Sequence, residues 1–366
     1  MRDLPSLTGL RGVAAIWVMM FHISQWAPAL GAPWLARVGL SPAGWVGVDL
    51  FFVLSGFILM WVHGAEFARP TAVAAGRFAL RRLARVYPTS LAALGLIALL
   101  VLADPTFAAW YRAQDPDNLS AAAFVRTALL ATRWTNGGGD WNEPVWSLSA
   151  ELVGYAAFPL LAWLMIGRAP RVSLAVAVLC LVALAAFQVL TGLAGSNAYG
   201  QTAALTRMGC CFTAGVAVCR LRQALGERPA KLAPIGVLAG CFVVVVGCHF
   251  KLGTLAAPAG FALVVFFLSF GTGVLNRLLS SSPAMALGRI SYPLYLIHLT
   301  PLLWMVAHTR PGGLGPVWAA TALGAYVVLS LGAATLLHRW IERPSHRWAR
   351  RDFVTGPALA AGAPSV

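Results

Sequence analysis

Arg11 and His22 stand eleven residues apart in a stretch that carries no other ionisable side chain. At 100° per residue, eleven steps leave about 20° of net rotation, so a helix would turn both to one side, about 16 Å apart along its axis. That face would join a guanidinium, which binds anions, to an imidazole, which exchanges a proton near neutrality. An arginine snorkelling to the interface below a histidine that glues two helices would have the same spacing.

Two carboxylates fall at a comparable depth. Asp49 lies in Gly47-Val48-Asp49-Leu50-Phe51-Phe52-Val53-Leu54-Ser55-Gly56-Phe57, and Glu151 closes Trp146-Ser147-Leu148-Ser149-Ala150-Glu151. Both segments run inward from the same side, so Asp49 or Glu151 could meet His22, fix its tautomer and favour the imidazolium. Either could instead cap a helix near the interface. A third polar stripe, Ser291, Tyr295 and His298, has i, i+4, i+7 spacing and shares one helix face. It offers His298 as a competing base, or as part of a hydrogen-bonding stripe between helices. Arg81, Arg82 and Arg85 also share a face, suited to phosphates through their guanidinium forks or to simple anchoring.

These side chains need membrane helices to position them. Of the 366 residues, 59% are hydrophobic and 11% charged, against about 25% charged in a soluble domain. Ten apolar spans are expected, near residues 10–28, 44–62, 89–103, 145–166, 172–190, 202–219, 232–249, 254–275, 290–307 and 316–337. The fold class is therefore all-α and polytopic. The segment 119–132 is apolar but short, as a re-entrant or interfacial piece would be. Alternate loops divide the 27 basic residues 20 to 7, which puts both termini in the cytoplasm. Residues 1–350 read as one transmembrane domain and 351–366 as a short disordered cytoplasmic tail. The largest outer loop, 104–142, mixes Asp104, Asp115, Asp117 and Asp140 with Trp110, Tyr111, Trp134 and Trp141. That composition suits a sugar or an aromatic interfacial belt.

Several functions are disfavoured. The net charge of +15 is spread over short loops rather than gathered into a basic domain, so nucleic acid is not the expected partner. The six cysteines have no metal-type spacing, and neither metal nor disulfide is expected. There is no Gly-x-Ser-x-Gly elbow, Walker loop or His-Glu-x-x-His. The Ala27-Pro28-Ala29 run resembles a leader cleavage site, but Arg11, His22 and the later spans argue for a retained first helix.

Six blocks in order resemble acyltransferase family 3, the membrane-bound acyltransferases that include O-antigen and exopolysaccharide O-acetyltransferases. They are Leu7-Thr8-Gly9-Leu10-Arg11-Gly12 with its spacing to His22, the block around Asp49, Arg81-Arg82-Leu83-Ala84-Arg85-Val86-Tyr87-Pro88, the block ending at Glu151, Gly288 to His298, and Ile341-Glu342-Arg343-Pro344. The resemblance implies acyl transfer from a cytoplasmic acyl-coenzyme A, acetyl-coenzyme A above all, at the bacterial inner membrane. It implies a catalytic His22 and a donor site built from Arg11, Arg82 and Arg85. Asp49 and Glu151 are expected to assist catalysis, and Trp146, Ser147, Tyr295 and His298 to meet the acceptor. Sugars of surface or exported polysaccharide are the favoured acceptor; peptidoglycan, a lipid or a secondary metabolite are other hydroxyl sources. Many members of the family carry a fused esterase-like domain outside the membrane; the short end of this chain implies transfer unaided or with a separate partner.

In the expected reaction the nucleotide end stays at the cytoplasmic face and the pantetheine arm threads toward His22. The histidine acts as general base for the attacking hydroxyl, or carries the acyl group itself. A permease or flippase for a glycan intermediate is the competing reading, though no internal repeat supports it.

Overall fold

Apolar runs this long leave their backbone N–H and C=O groups no partner in hydrocarbon except one another, which dictates helices. The computed structural model describes residues 4–354 apart from 136 and 311, and no β-strand occurs among the described residues. The helices are α1 (Pro5–Trp26), α2 (Gly47–His63), α3 (Ala72–Ala103), α4 (Pro105–Gln114) and α5 (Ala121–Ala128). There follow α6 (Val145–Met165), α7 (Pro170–Leu190), α8 (Gln201–Leu225), α9 (Ala233–His249) and α10 (Gly253–Leu268). The last are α11 (Val274–Leu279), α12 (Ser282–Ile297), α13 (Leu299–Ala307), α14 (Pro316–Leu337) and α15 (Arg343–Val354).

Every expected span has a counterpart, but two depart from a straight crossing. Among the described residues, eight helical stretches are long and apolar enough to span a bilayer. The ninth expected span is α12 plus α13, bent by 41° where His298 separates them. The eighth is α10, whose 16 residues cover about 24 Å, short of the roughly 30 Å hydrocarbon layer. The segment 119–132 contains the eight-residue α5, capped by Ser120, whose side chain accepts from the Ala123 N–H at 3.1 Å. Residues 355–366, most of the expected tail, lie outside the described residues, and α15 runs up to them.

Helix α3 begins earlier than hydropathy indicates. Thr71 caps it by accepting from the Ala74 N–H at 3.1 Å, and it continues for 32 residues. Arg81, Arg82 and Arg85 therefore sit within a helix, as their shared face requires, and well inside its first half.

The centre of the bundle is made by α1, α2 and α8. About two-thirds or more of their most apolar windows is buried, whereas α7 buries 22% of its window and leaves Leu174, Val178, Leu179 and Val182 facing outward. Close approach of α2 and α8 rests on two glycines. A Cβ at Gly56 would lie 2.0 Å from the Phe212 carbonyl oxygen, and one at Gly215 would lie 2.1 Å from that of Val53. Small residues at such crossings let backbones touch, the main source of helix affinity in lipid. Arg11, His22 and Asp49 therefore project from the most tightly held helices. The face with the basic loops is called the basic face below, and loop 104–142 lies on the opposite face.

Candidate functional site

His22 lies one turn from the end of α1 and is 8% exposed. Its ring packs on Phe21 and, at 5.1 Å between centroids, on the ring of His298. His298 occupies the bend between α12 and α13 and is 1% exposed. Its Nδ1 faces the carbonyl oxygens of Tyr295 at 2.9 Å and Leu294 at 3.1 Å. Carbonyls only accept, so the proton is on Nδ1 and the Nε2 of His298 keeps a lone pair. That Nε2 and the Nδ1 of His22 are both buried without a hydrogen-bond partner. Buried polar atoms that no protein group satisfies are free to take up another group.

The expected carboxylate partner of His22 is not found. Asp49 is engaged by Arg207 of α8, which donates through Nε at 2.9 Å to Oδ1 and through Nη2 at 3.2 Å to Oδ2. Arg207 also donates to the Ala198 carbonyl at 2.9 Å, and its guanidinium lies over the rings of Trp45 and Trp146. Glu151 accepts from the Ser55 hydroxyl at 2.5 Å, in a different cavity from the imidazole. The group beside His22 is a second imidazole, and the two acids belong to other contacts.

Asp49 and Arg207 are 1% and 2% exposed in their side chains, so each is the other's counter-charge in a dry setting. Asp49→Asn is expected to destabilise the protein by about 3–5 kcal/mol, because it strands a buried guanidinium. The double change Asp49→Leu with Arg207→Met should recover most of that loss. Thermal unfolding in detergent checks this; a single change as stable as the parent would contradict it.

On the basic side a cavity of about 870 Å³ is lined by Arg11, Arg82, Arg85, Ser55, Glu151 and Tyr155, among others, and reaches to Ser147 and Tyr295. The arginines are held differently. Arg85 pairs with the buried Glu342 and lies 2.6 Å from His346 and over the ring of Tyr292. Arg82 lies 3.3 Å from the His63 Nε2, while its own Nε is buried without a partner. Arg11 has no ion pair or hydrogen bond to any described residue. Arg81 is turned to Glu66 at 2.5 Å and is absent from the cavity wall. The sequence-expected trio of Arg11, Arg82 and Arg85 is thus brought together at one cavity.

On the opposite side a pocket of about 310 Å³ is lined by His22, Trp45, Glu143, Trp146, Asn197 and Tyr295, among others. Val48 and Tyr295 border both this pocket and the large cavity, so they form the wall between them. Ser147 donates to the Tyr295 hydroxyl at 2.9 Å and steadies that wall. Of the four expected acceptor-side residues, Trp146 lines the His22 pocket, Ser147 and Tyr295 lie at the wall, and His298 backs the His22 ring.

Two residues escaped the sequence reading. Arg207 lies inside an apolar run, and an intramembrane arginine demands a counter-charge; that demand was the available signal. Glu143 precedes α6 and receives a hydrogen bond from Tyr199. Burial, with Asp140 close by, pushes its carboxyl up to about 7, against the pull of Arg133 and of the Tyr199 bond. No sequence pattern distinguished it from the other acids near the outer loop.

The family model described as "Acyltransferase domain", Acyl_transf_3, matches residues 4–339. Acyltransferase MdmB of Streptomyces mycarofaciens is 27% identical over 97% of this chain and 95% of its own length. Protein 2 in the picA locus of Rhizobium radiobacter is 35% identical over 42% of this chain and 78% of its own. O-acetyltransferase OatA of Staphylococcus aureus is 25% identical over 97% of this chain, a match covering 59% of that protein. No solved structure matches.

Proposed function

Because the chain belongs to the acyltransferase-3 family, a family of membrane O-acyltransferases, we propose that it moves an acyl group, acetyl in the first instance, from acyl-coenzyme A on its basic face to a carbohydrate hydroxyl on the opposite face. In this reading the basic face is cytoplasmic by the positive-inside rule and the membrane is the bacterial inner membrane. One observation carries the proposal. A cavity fringed by Arg11, Arg82 and Arg85 and a pocket containing His22 approach from opposite directions and share the wall made by Val48 and Tyr295.

The arginines suit the phosphates of a nucleotide, which cannot enter hydrocarbon cheaply. The narrow interior beyond them suits an uncharged pantetheine arm. With the Tyr295 side chain displaced, the thioester would come within reach of His22. The acceptor oxygen attacks the thioester carbon while His22 takes its proton, the carbon–sulfur bond breaks, and His22 returns the proton to the departing thiolate. The products are an ester and free coenzyme A. The lone pair on the His298 Nε2 lies beside the imidazolium that forms, the place a carboxylate was expected to fill.

Labelled acetyl-coenzyme A supplied to membranes containing the protein tests the reading. Label should appear in alkali-labile esters on cell-surface carbohydrate, together with free coenzyme A. A permease for the same glycan would instead change glycan export and leave the thioester intact; that result would sink the proposal.

A further inference from the structure

Glu143 borders two cavities on the face opposite the arginines. One is the His22 pocket, where its companions are Trp45, Trp146 and Asn197. The other, of about 260 Å³, is lined by Tyr111, Trp141, Asn142, Thr300 and apolar residues of α3, α4 and α13. The carboxyl thus stands in the wall of both. Its position is fixed twice. Tyr199 holds the carboxyl itself, and the next residue back, Asn142, donates to the Leu296 carbonyl at 3.0 Å, two residues before His298. The His22 ring lines this pocket, and its Nδ1 is buried with no protein partner. A group that satisfies that nitrogen must be a hydroxyl or another small polar function, and it would sit among aromatic rings with an amide and a carboxyl in the same wall.

We propose that Glu143 selects the acceptor: its carboxylate receives a hydrogen bond from one hydroxyl of a polyhydroxylated ring while a neighbouring hydroxyl of that ring is presented to His22. This rests on the acyl-transfer reading above and adds the residue that reads the acceptor at its outer pocket. A carboxylate accepts from a hydroxyl more strongly than a neutral carboxyl or amide does. Ring faces beside such acceptors suit the apolar side of a sugar and not a flexible chain alcohol.

The titration of Glu143 gives the proposal a signature. Asp140 and Arg133 face it from its own loop, Tyr199 from the 191–200 segment, Tyr111 from α4, Tyr295 from α12 and His22 from α1. With its carboxyl at about 7, Glu143 is mostly neutral at pH 6 and mostly ionised at pH 8, so acceptor binding strengthens as pH rises through that window.

The test uses the full-length protein in lipid nanodiscs, labelled acetyl-coenzyme A, and two probe acceptors: methyl α-glucoside, with adjacent hydroxyls, and cyclohexanol, a ring with one. The wild type should prefer the glucoside, with an acceptor KM that falls several-fold from pH 6 to pH 8. Glu143→Gln, which keeps the shape, and Glu143→Ala should each raise the glucoside KM about ten-fold or more and flatten its pH dependence, with a smaller change in the donor KM. Equal acceptor KM in the variants, or donor and acceptor KM rising together, would overturn the assignment of Glu143. Thioester consumption without preference for the glucoside would overturn the polyol class. An absence of thioester consumption by the wild type would instead sink the donor reading on which this site rests.

Discussion

Removing the imidazole at His22 is expected to lower acyl transfer by about 10²–10⁴-fold, the range that a positioned general base supplies. The expectation follows from what surrounds the ring. His22 lines the outer pocket and packs against a second buried imidazole. No described carboxylate is bonded to it to take over the proton. His22→Ala leaves a gap that opens on the pocket, so added imidazole should restore part of the rate, which a purely structural loss would not allow. His22→Gln keeps polar bulk without a base near neutrality and should be as inactive as the alanine form. Transfer assayed with labelled acetyl-coenzyme A decides the matter: a glutamine variant with a wild-type rate removes His22 from the chemistry.

His298 extends the same argument. Its Nδ1 proton is committed to the Tyr295 and Leu294 carbonyls, so only its Nε2 is available, and that atom is buried beside His22. The bend between α12 and α13 places the imidazole there: α12 ends at Ile297, and His298 begins a new direction 41° away.

The sequence made some of this site legible and hid the rest for definable reasons. Arg11 and His22 were legible because both lie on one helix, where spacing converts directly into direction. The pairing of Arg82 with Arg85 was legible for the same reason. The partners of Asp49 and Glu151 were not, because depth along a helix says nothing about which neighbour the side chain faces. Asp49 turns toward α8, packed close through Gly56 and Gly215, and there meets Arg207, 158 residues away in the chain. An arginine within the expected span 202–219 was itself a signal that some buried acid must answer it. The long first half of α3 was missed because hydropathy registers only the lipid-crossing half of a helix whose other half is amphipathic. Glu143 was missed because four aspartates precede it in the 104–142 loop, and only the folded chain turns it toward His22 and Tyr199.

The arginines at the large cavity should not contribute equally, and their differences make the donor site testable. Arg85 is tied to Glu342, itself 1% exposed, and Glu342 also binds His338 at 2.6 Å. Arg85→Gln therefore strands a buried carboxylate and should unfold or loosen the basic face as well as weaken donor binding. Arg11 feels Glu342 and Glu151 without making an ion pair to any described residue, and Arg82 carries an unpartnered Nε. Arg11→Gln and Arg82→Gln should each raise the KM for acetyl-coenzyme A about 10–100-fold, the worth of a hydrogen bond to a charged group of about 1.5–3 kcal/mol. The charge reversal Arg82→Glu with Arg85→Glu should cost more, since it puts two carboxylates where phosphates are expected. The decisive comparison uses S-acetylpantetheine, the same thioester without the nucleotide. Wild-type protein should prefer acetyl-coenzyme A strongly, and the two glutamine variants should lose that preference while using S-acetylpantetheine about as poorly as the wild type does. If the variants impair both thioesters by the same factor, the guanidinium groups hold the helices together and do not read the donor's phosphates.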